Sequence, residues 1–347
     1  MRFAGSERAD RFREAMVRRV REGDRRARMK TALPAIVVGI LIAQQAAVDA
    51  QPHIVSRADY VRVPVAVLDE NDRPVTDLRA EDFRLYDEDS PKPISNFVLD
   101  VAPVHILFLV DSSGSTKEEL PQMRYAVRRF AQHFTAEDRM ALAGFSDKFE
   151  WIQDWTNDEK RLAKALKRLE PGYRTALWDS LAEAAQRRLA GVDGRRALIL
   201  MTDGLDNEST RTYDEVLEIL TKFDIVLYVV SRSRLVESRI EDSERVRFLD
   251  RVMRNLLDED ESFVGAYFRD KEAALENLAA TNGGRVFYPA SFPALGQIYA
   301  QIAQELKTQY VLTFPAPTTS ETAFRRIRVE CLRPVGKLVY RRLYYAR

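Results

Sequence analysis

Hydrophobic and polar positions follow two different periods along the chain. Over residues 58–101 the period is two. Val61, Val63, Val65 and Val67 share one parity while Tyr60, Arg62, Pro64 and Ala66 take the other, the pattern of a half-buried strand. Asp69-Glu70-Asn71-Asp72-Arg73-Pro74 is turn chemistry, and Phe83-Arg84-Leu85-Tyr86 and residues 94–99 read as two further strands around Asp87-Glu88-Asp89-Ser90-Pro91. From about residue 103 short apolar runs alternate with stretches of helical period. Strands are predicted at 105–110, 140–145, 197–201, 225–230, 263–268 and 285–288. The intervening helices fall at 117–134, where Leu120, Met123, Val127, Phe130 and Phe134 recur at helical spacing, and near 158–169, 175–190, 213–223, 271–281 and 293–307. From Gln309 β character returns at 310–314, 324–331 and 337–344, punctuated by Pro315, Pro317 and Pro334.

Continuously apolar strands alternating with helices predict an α/β fold with a doubly wound, mostly parallel sheet covered on both faces. The economical arrangement inserts that layer, residues 103–308, into a small β-sandwich formed by both chain ends, 51–102 and 309–347. Such insertion is tolerated because domain termini tend to lie close together. Residues 232–262 read as a highly charged insertion, a lid or a partner surface, with one amphipathic helix through Leu249, Val252, Met253, Leu256 and Leu257.

The N-terminal 50 residues follow neither period. Residues 1–31 carry eleven Arg/Lys against five Asp/Glu, and residues 31–43 are then an uncharged apolar run. With the small residues Val48 and Ala50 beyond it, this reads as a secretory signal, so the protein is expected to be exported to the periplasm, the cell surface or the medium. About 13 apolar residues span only ~20 Å as a helix, short of a ~30 Å hydrocarbon core, so an uncleaved membrane anchor is the lesser alternative. Met29-Lys30 would open such a signal in the usual way, which makes residues 1–28 an upstream extension or a basic helix. Without residues 1–50 the remainder is mildly acidic.

Composition narrows the chemistry by exclusion. The 347 residues are 46% hydrophobic and 31% charged, a globular balance that excludes a disordered, collagenous or multi-span membrane chain. Lys and Arg total 54 against 53 Asp and Glu, so overall charge gives no reason to expect nucleic-acid binding. The single cysteine, Cys331, excludes an internal disulfide framework and a multi-cysteine zinc site.

What remains is an oxygen cluster. Asp111-Ser112-Ser113-Gly114-Ser115 leaves the carboxyl end of the first α/β strand, where open α/β sheets bind ligands. Met201-Thr202-Asp203-Gly204 ends a second strand, and Tyr173-Arg174-Thr175-Ala176 brings a hydroxyl in a third loop to the same edge. Asp111, Ser113, Ser115, Thr175 and Asp203 thus offer two carboxylates and three hydroxyls. Hard oxygen donors without imidazole or thiolate suit Mg²⁺, Mn²⁺ or Ca²⁺. Two carboxylates neutralise such an ion while the hydroxyls add no charge, leaving it electrophilic toward an acidic group from outside. The bland alternative is a set of capped turns, since Asp and Ser favour turns and helix N-termini without any metal.

These residues resemble the metal-ion-dependent adhesion site of the von Willebrand factor type A domain. That site is a D-x-S-x-S run followed by a later Thr and a later Asp, matched here by Asp111, Ser113, Ser115, Thr175 and Asp203. The resemblance covers roughly residues 103–307. The flanks, Val75-Thr76-Asp77-Leu78-Arg79-Ala80-Glu81-Asp82-Phe83 and the stretch 325–345, resemble those of bacterial, acidobacterial-type exported proteins related to the family. Thr116 departs from them, where Met is common. The resemblance implies a non-enzymatic binding module whose serines and threonine contact the ion directly and whose aspartates act directly or through water. The ion would capture an Asp or Glu side chain of a partner protein. Two alternatives stand beside this one: a structural envelope protein with a loop-stabilising ion, and a metal-dependent hydrolase. The hydrolase is disfavoured because His105 and His133 lie far from this edge in the predicted elements and His53 lies in the N-terminal tail, so none is placed to serve as general base.

Overall fold

The computed structural model describes residues 60–100, 102–113, 116–235, 263–317 and 323–346, all within one unit that begins at Ala58. The signal-like segment 31–43, the Val48-Asp49-Ala50 site, Gly114, Ser115 and most of the charged insertion (236–262) lie outside the described residues. Among the described residues no helix is long and apolar enough to cross a membrane.

The chain opens with β1 (Tyr60–Leu68), β2 (Phe83–Asp87), β3 (Ser90–Lys92) and β4 (Asn96–Asp100). The α/β layer follows: β5 (Val104–Asp111), α1 (Thr116–Ala131), β6 (Arg139–Phe145), β7 (Phe149–Thr156), α2 (Glu159–Ala165), α3 (Leu177–Glu183), β8 (Arg195–Thr202), α4 (Tyr213–Lys222), β9 (Ile225–Ser231), α5 (Phe263–Thr281), β10 (Val286–Phe287) and α6 (Leu295–Lys307). The chain closes with β11 (Gln309–Pro315), β12 (Ala323–Cys331), β13 (Lys337–Tyr340) and β14 (Leu343–Ala346).

The central sheet runs β10-β9-β8-β5-β6-β7, parallel throughout except for the antiparallel edge strand β7. β5 alternates its buried side chains between two cores. Ile106, Phe108 and Val110 pack with Met123, Val127 and Phe130 of α1 and Ile298, Tyr299 and Ile302 of α6. Leu107 and Leu109 pack on the opposite face with Leu177 and Leu181 of α3, Val216 and Leu220 of α4 and Leu275 and Leu278 of α5. This two-faced burial is why the strand reads as an unbroken apolar run. Local signals set the helix starts: Asp158 accepts the backbone N–H groups of Lys160 and Arg161 at the head of α2, and Thr212 and Glu215 form a reciprocal capping box at the head of α4.

Two four-stranded sheets flank this layer, ordered β13-β1-β11-β4 and β14-β12-β2-β3. Val61, Val63, Val65 and Val67 of β1 share a core with Phe83, Leu85, Ile327 and Val329 of the other sheet, as their common parity predicts. Antiparallel pairing of β1 with β11 and of β2 with β12 joins the two ends of the chain.

Three of the predicted elements are corrected. Residues 263–268 are not a strand but the first turns of α5, which runs unbroken to Thr281. Val264, Phe268, Leu275 and Leu278 recur at helical intervals, and a short apolar run does not by itself distinguish the two periods. The expected strand 337–344 is two strands. It breaks at Arg341-Arg342, so that β13 joins β1 in one flanking sheet while β14 joins β12 in the other. The expected helix 175–190 starts at Leu177 and turns from α-helix to a π-helical stretch at Ala184–Leu189. β7, carrying Trp151 and Trp155, is an element the periodicity reading omits.

Buried ion pairs hold the α/β layer and the flanking sheets together. Arg285 bridges Glu305 of α6 (Nε to Oε1, 3.0 Å) and Asp72 of the β1–β2 connection (3.2 Å). Arg195 of β8 faces Asp100 of β4 at 3.5 Å. Asp138, fully buried, accepts the Val104 N–H (2.9 Å), the Thr135 N–H (2.7 Å) and the Lys307 ammonium (2.9 Å), tying β5, the turn before β6 and the end of α6 to one carboxylate.

Burial alone would raise the Asp138 carboxyl, but the bonds from Lys307, Thr135 and Val104 outweigh it and hold the group below its ordinary value of 3.8. An acid with a lowered folded-state value contributes stability above the unfolded value, and that stability is lost as pH falls through the folded one. Asp138→Asn is therefore expected to cost about 2–3 kcal/mol at pH 7. The gap to the parent should close as pH falls below 3.8. Urea denaturation of both proteins at neutral and acidic pH checks this.

Candidate metal centre

The site grows from the register of the central sheet. β5 and β8 pair in parallel with Val110 opposite Met201, and β8 pairs with β9 with Thr202 opposite Ser231. Asp111, Thr202 and Arg232 therefore emerge together at the carboxyl edge, at the point where the chain order reverses between β6 on one side of β5 and β8 on the other.

Asp111 is the hub. It is fully buried. Its Oδ1 accepts the Ser113 N–H (2.9 Å) and the Ser113 hydroxyl (2.5 Å), and its Oδ2 accepts the Thr202 hydroxyl (2.9 Å). The Arg232 guanidinium, itself only 4% exposed, stands 3.6 Å from the same Oδ2. The Arg232 N–H also donates to the Thr202 carbonyl at 2.7 Å, so strand pairing continues one residue past β9.

Asp203 follows Thr202 on a turn that Gly204 completes with φ +85°, the left-handed region that glycine enters without strain. The Gly204 N–H donates to the Thr202 hydroxyl (3.0 Å) and the Leu205 N–H to Asp203 Oδ1 (3.1 Å). Burial first, then the Asp111 charge, push the Asp203 carboxyl above the usual carboxylate range, with Arg232 opposing.

The third loop is laced to the other two. Its Gly172 N–H donates to the Ser112 carbonyl (3.2 Å), and a Cβ at Gly172 would lie 2.3 Å from the Ser146 side chain, so only glycine fits that approach. Thr175 is buried; its N–H donates to Asn207 Oδ1 (2.9 Å) and the Leu177 N–H to Asp206 Oδ1 (2.8 Å). Arg174 pairs with Glu208, and Tyr173 beside them is fully exposed.

Of the five residues singled out in the sequence, Asp111 and Ser113 are in direct contact. Asp203 feels the Asp111 charge and is joined to it through Thr202, and Thr175 sits in a loop bonded to the Asp203 loop. Ser115 lies outside the described residues. Sequence reasoning missed Thr202 and Arg232. Thr212 caps α4, and the Asp206 and Asn207 side chains fasten the Thr175 loop. The available signal for Arg232 was a charged residue immediately after an apolar strand at the ligand-binding edge. His105 lies at the opposite end of β5, edge-on to Trp155, and His133 is exposed beyond α1. Trp151, Trp155 and Trp178 pack against the core.

The donor set suits a hard divalent ion. A hydroxyl that gives its proton to a carboxylate, as Ser113 does, keeps its lone pairs for a cation, and the paired negative charges of Asp111 and Asp203 are what such an ion relieves. Among the described residues no three His, Cys, Asp or Glu side chains gather at one point.

A doubly wound α/β layer with paired carboxylates and hydroxyls at its switch point defines the class. Residues 105–247 match the von Willebrand factor type A domain, and the chain carries a domain of that family. The α/β layer itself continues past the matched residues through α5, β10 and α6. Similar solved structures include proximal thread matrix protein 1 from the mussel byssus, at 18% identity and TM-score 0.43 over 63% of this chain and 49% of that one. The chain thus spans about half the length of the mussel protein, which is also described with a zinc-occupied MIDAS motif. The von Willebrand factor domain of the type V pilus tip protein Mfa5 from Porphyromonas gingivalis is 24% identical, with TM-score 0.28 over 31% of this chain and 40% of that one. BatB from Bacteroides thetaiotaomicron is 16% identical, with TM-score 0.39 over 59% of this chain and all of that one. Comparison with curated proteins finds no match.

Thr202→Val keeps the shape of a fully buried side chain while removing the donor to Asp111 and the acceptor of the Gly204 N–H. Each buried polar group left unsatisfied costs about 1–3 kcal/mol, so a loss in this range is expected in chemical denaturation without metal.

Proposed function

We propose that the protein is an exported binding module in which Asp111, Ser113, Thr175 and Asp203, with Ser115, hold Mg²⁺ or a similar hard cation that captures a carboxylate of a partner protein. The observation that carries this reading is the Ser113 hydroxyl donating to Asp111 at 2.5 Å beside a second carboxylate at the sheet's switch point. When bound, the ion supplies a Lewis-acidic position for an anionic side chain. The chain's own residues orient it: Thr202 fixes one oxygen of Asp111, while Asn207 and Asp206 fix the Thr175 loop. Tyr173, fully exposed beside Thr175, offers an aromatic anchor for a partner at the rim. The distance of His105 and His133 from this edge favours binding over hydrolysis. Export rests on the basic flank and apolar run at residues 1–43, and the balanced charge favours a protein partner over nucleic acid.

The burial of Asp111 and Thr175 supports a second reading, a loop-stabilising ion in a structural envelope protein. The two differ in what the ion does. An ion that binds only the folded state raises stability by about 2.7 kcal/mol at one hundred times its dissociation constant, with or without a partner. Asp203→Asn is expected to abolish Mg²⁺ binding in calorimetry while the domain stays folded, and Tyr173→Ala to weaken partner capture without changing metal affinity. A pull-down from the native envelope that proceeds equally in EDTA would sink the capture mechanism.

A further inference from the structure

We infer that Arg232 is a resident counter-charge that competes with the divalent ion for Asp111, an inference that rests on the metal-site reading above. The geometry is specific. Arg232 is 4% exposed, its guanidinium lies 3.6 Å from Oδ2 of the fully buried Asp111, and its own N–H is fastened to the Thr202 carbonyl at 2.7 Å. A buried guanidinium is tolerated where carboxylates compensate its lost hydration, and one carboxylate beside Arg232 is the hub of the metal site.

The guanidinium offsets part of the negative charge that Asp111 and Asp203 bring to the metal-free edge. Two effects follow. A divalent ion binds against a fixed positive charge, so its affinity is lowered. Once loaded, the site is more positive with the guanidinium beside it than it would be without, so its pull on an anionic side chain is raised. Arg232 also holds the Asp111 side of the edge in place without metal, and so decouples folding of these loops from ion supply.

Arg232→Gln is expected to raise Mg²⁺ affinity at least about tenfold in titration calorimetry, since a neutral side chain removes the repulsion. The same variant should melt at a lower temperature in EDTA and gain more from added Mg²⁺ than the parent does. Folding of Arg232→Gln only when Mg²⁺ is present would point the same way. Arg232→Lys keeps the charge and should stay within about threefold of the parent's affinity. Parent-like or weaker Mg²⁺ binding by Arg232→Gln overturns the role of Arg232 and leaves the metal-site reading standing. Absence of Mg²⁺ binding by the parent and both variants overturns both.

Discussion

One buried carboxylate organises the functional edge of this protein. Asp111 sits at the end of a strand covered on both faces, where an ionised group survives only if its oxygens are satisfied. Ser113, Thr202 and Arg232 meet that demand from three different segments. The same requirement that keeps the fold intact therefore draws the ends of β5, β8 and β9 to one point. The loop carrying Thr175 has its own fastenings, to Ser112 behind and Asn207 in front. Contacts within the protein thus preorganise the edge.

Much of this was legible in the chain. The two-residue period of Val61 to Val67 and the unbroken apolar strands determine which faces are buried, and burial determines the layers. Asp111, Ser113, Thr175 and Asp203 were legible because each stands beside a strand end or helix start. Arg232 was not singled out, because it opens a charged stretch that reads as an insertion and its place beside Asp111 depends on the register between β8 and β9. Residues 263–268 misled for a related reason: a short apolar run satisfies both periods, and only its continuation into Leu275 and Leu278 settles the matter. The break at Arg341-Arg342 was hidden because β13 and β14 are each only four residues long and belong to different sheets.

The flanking sheets hold the α/β layer from its opposite edge. Asp138 joins the first strand of that layer to its last helix, and Arg285 and Arg195 extend the connection to Asp72 and Asp100. α6 passes into β11 across a single residue, Thr308, leaving little slack between them. Side chains at the two edges thus have separate tasks, one gripping neighbouring strands and the other presenting oxygen donors.

The pairing of β1 with β11 places Tyr60 opposite Pro315. Closing so long a loop in an unfolded chain is entropically costly and kinetically slow. The intervening α/β layer, built largely from neighbouring segments, shortens that loop once it is formed, because it delivers Val104 and Lys307 to the same carboxylate of Asp138. Formation of the α/β layer thereby lowers the entropic cost of bringing the two chain ends together.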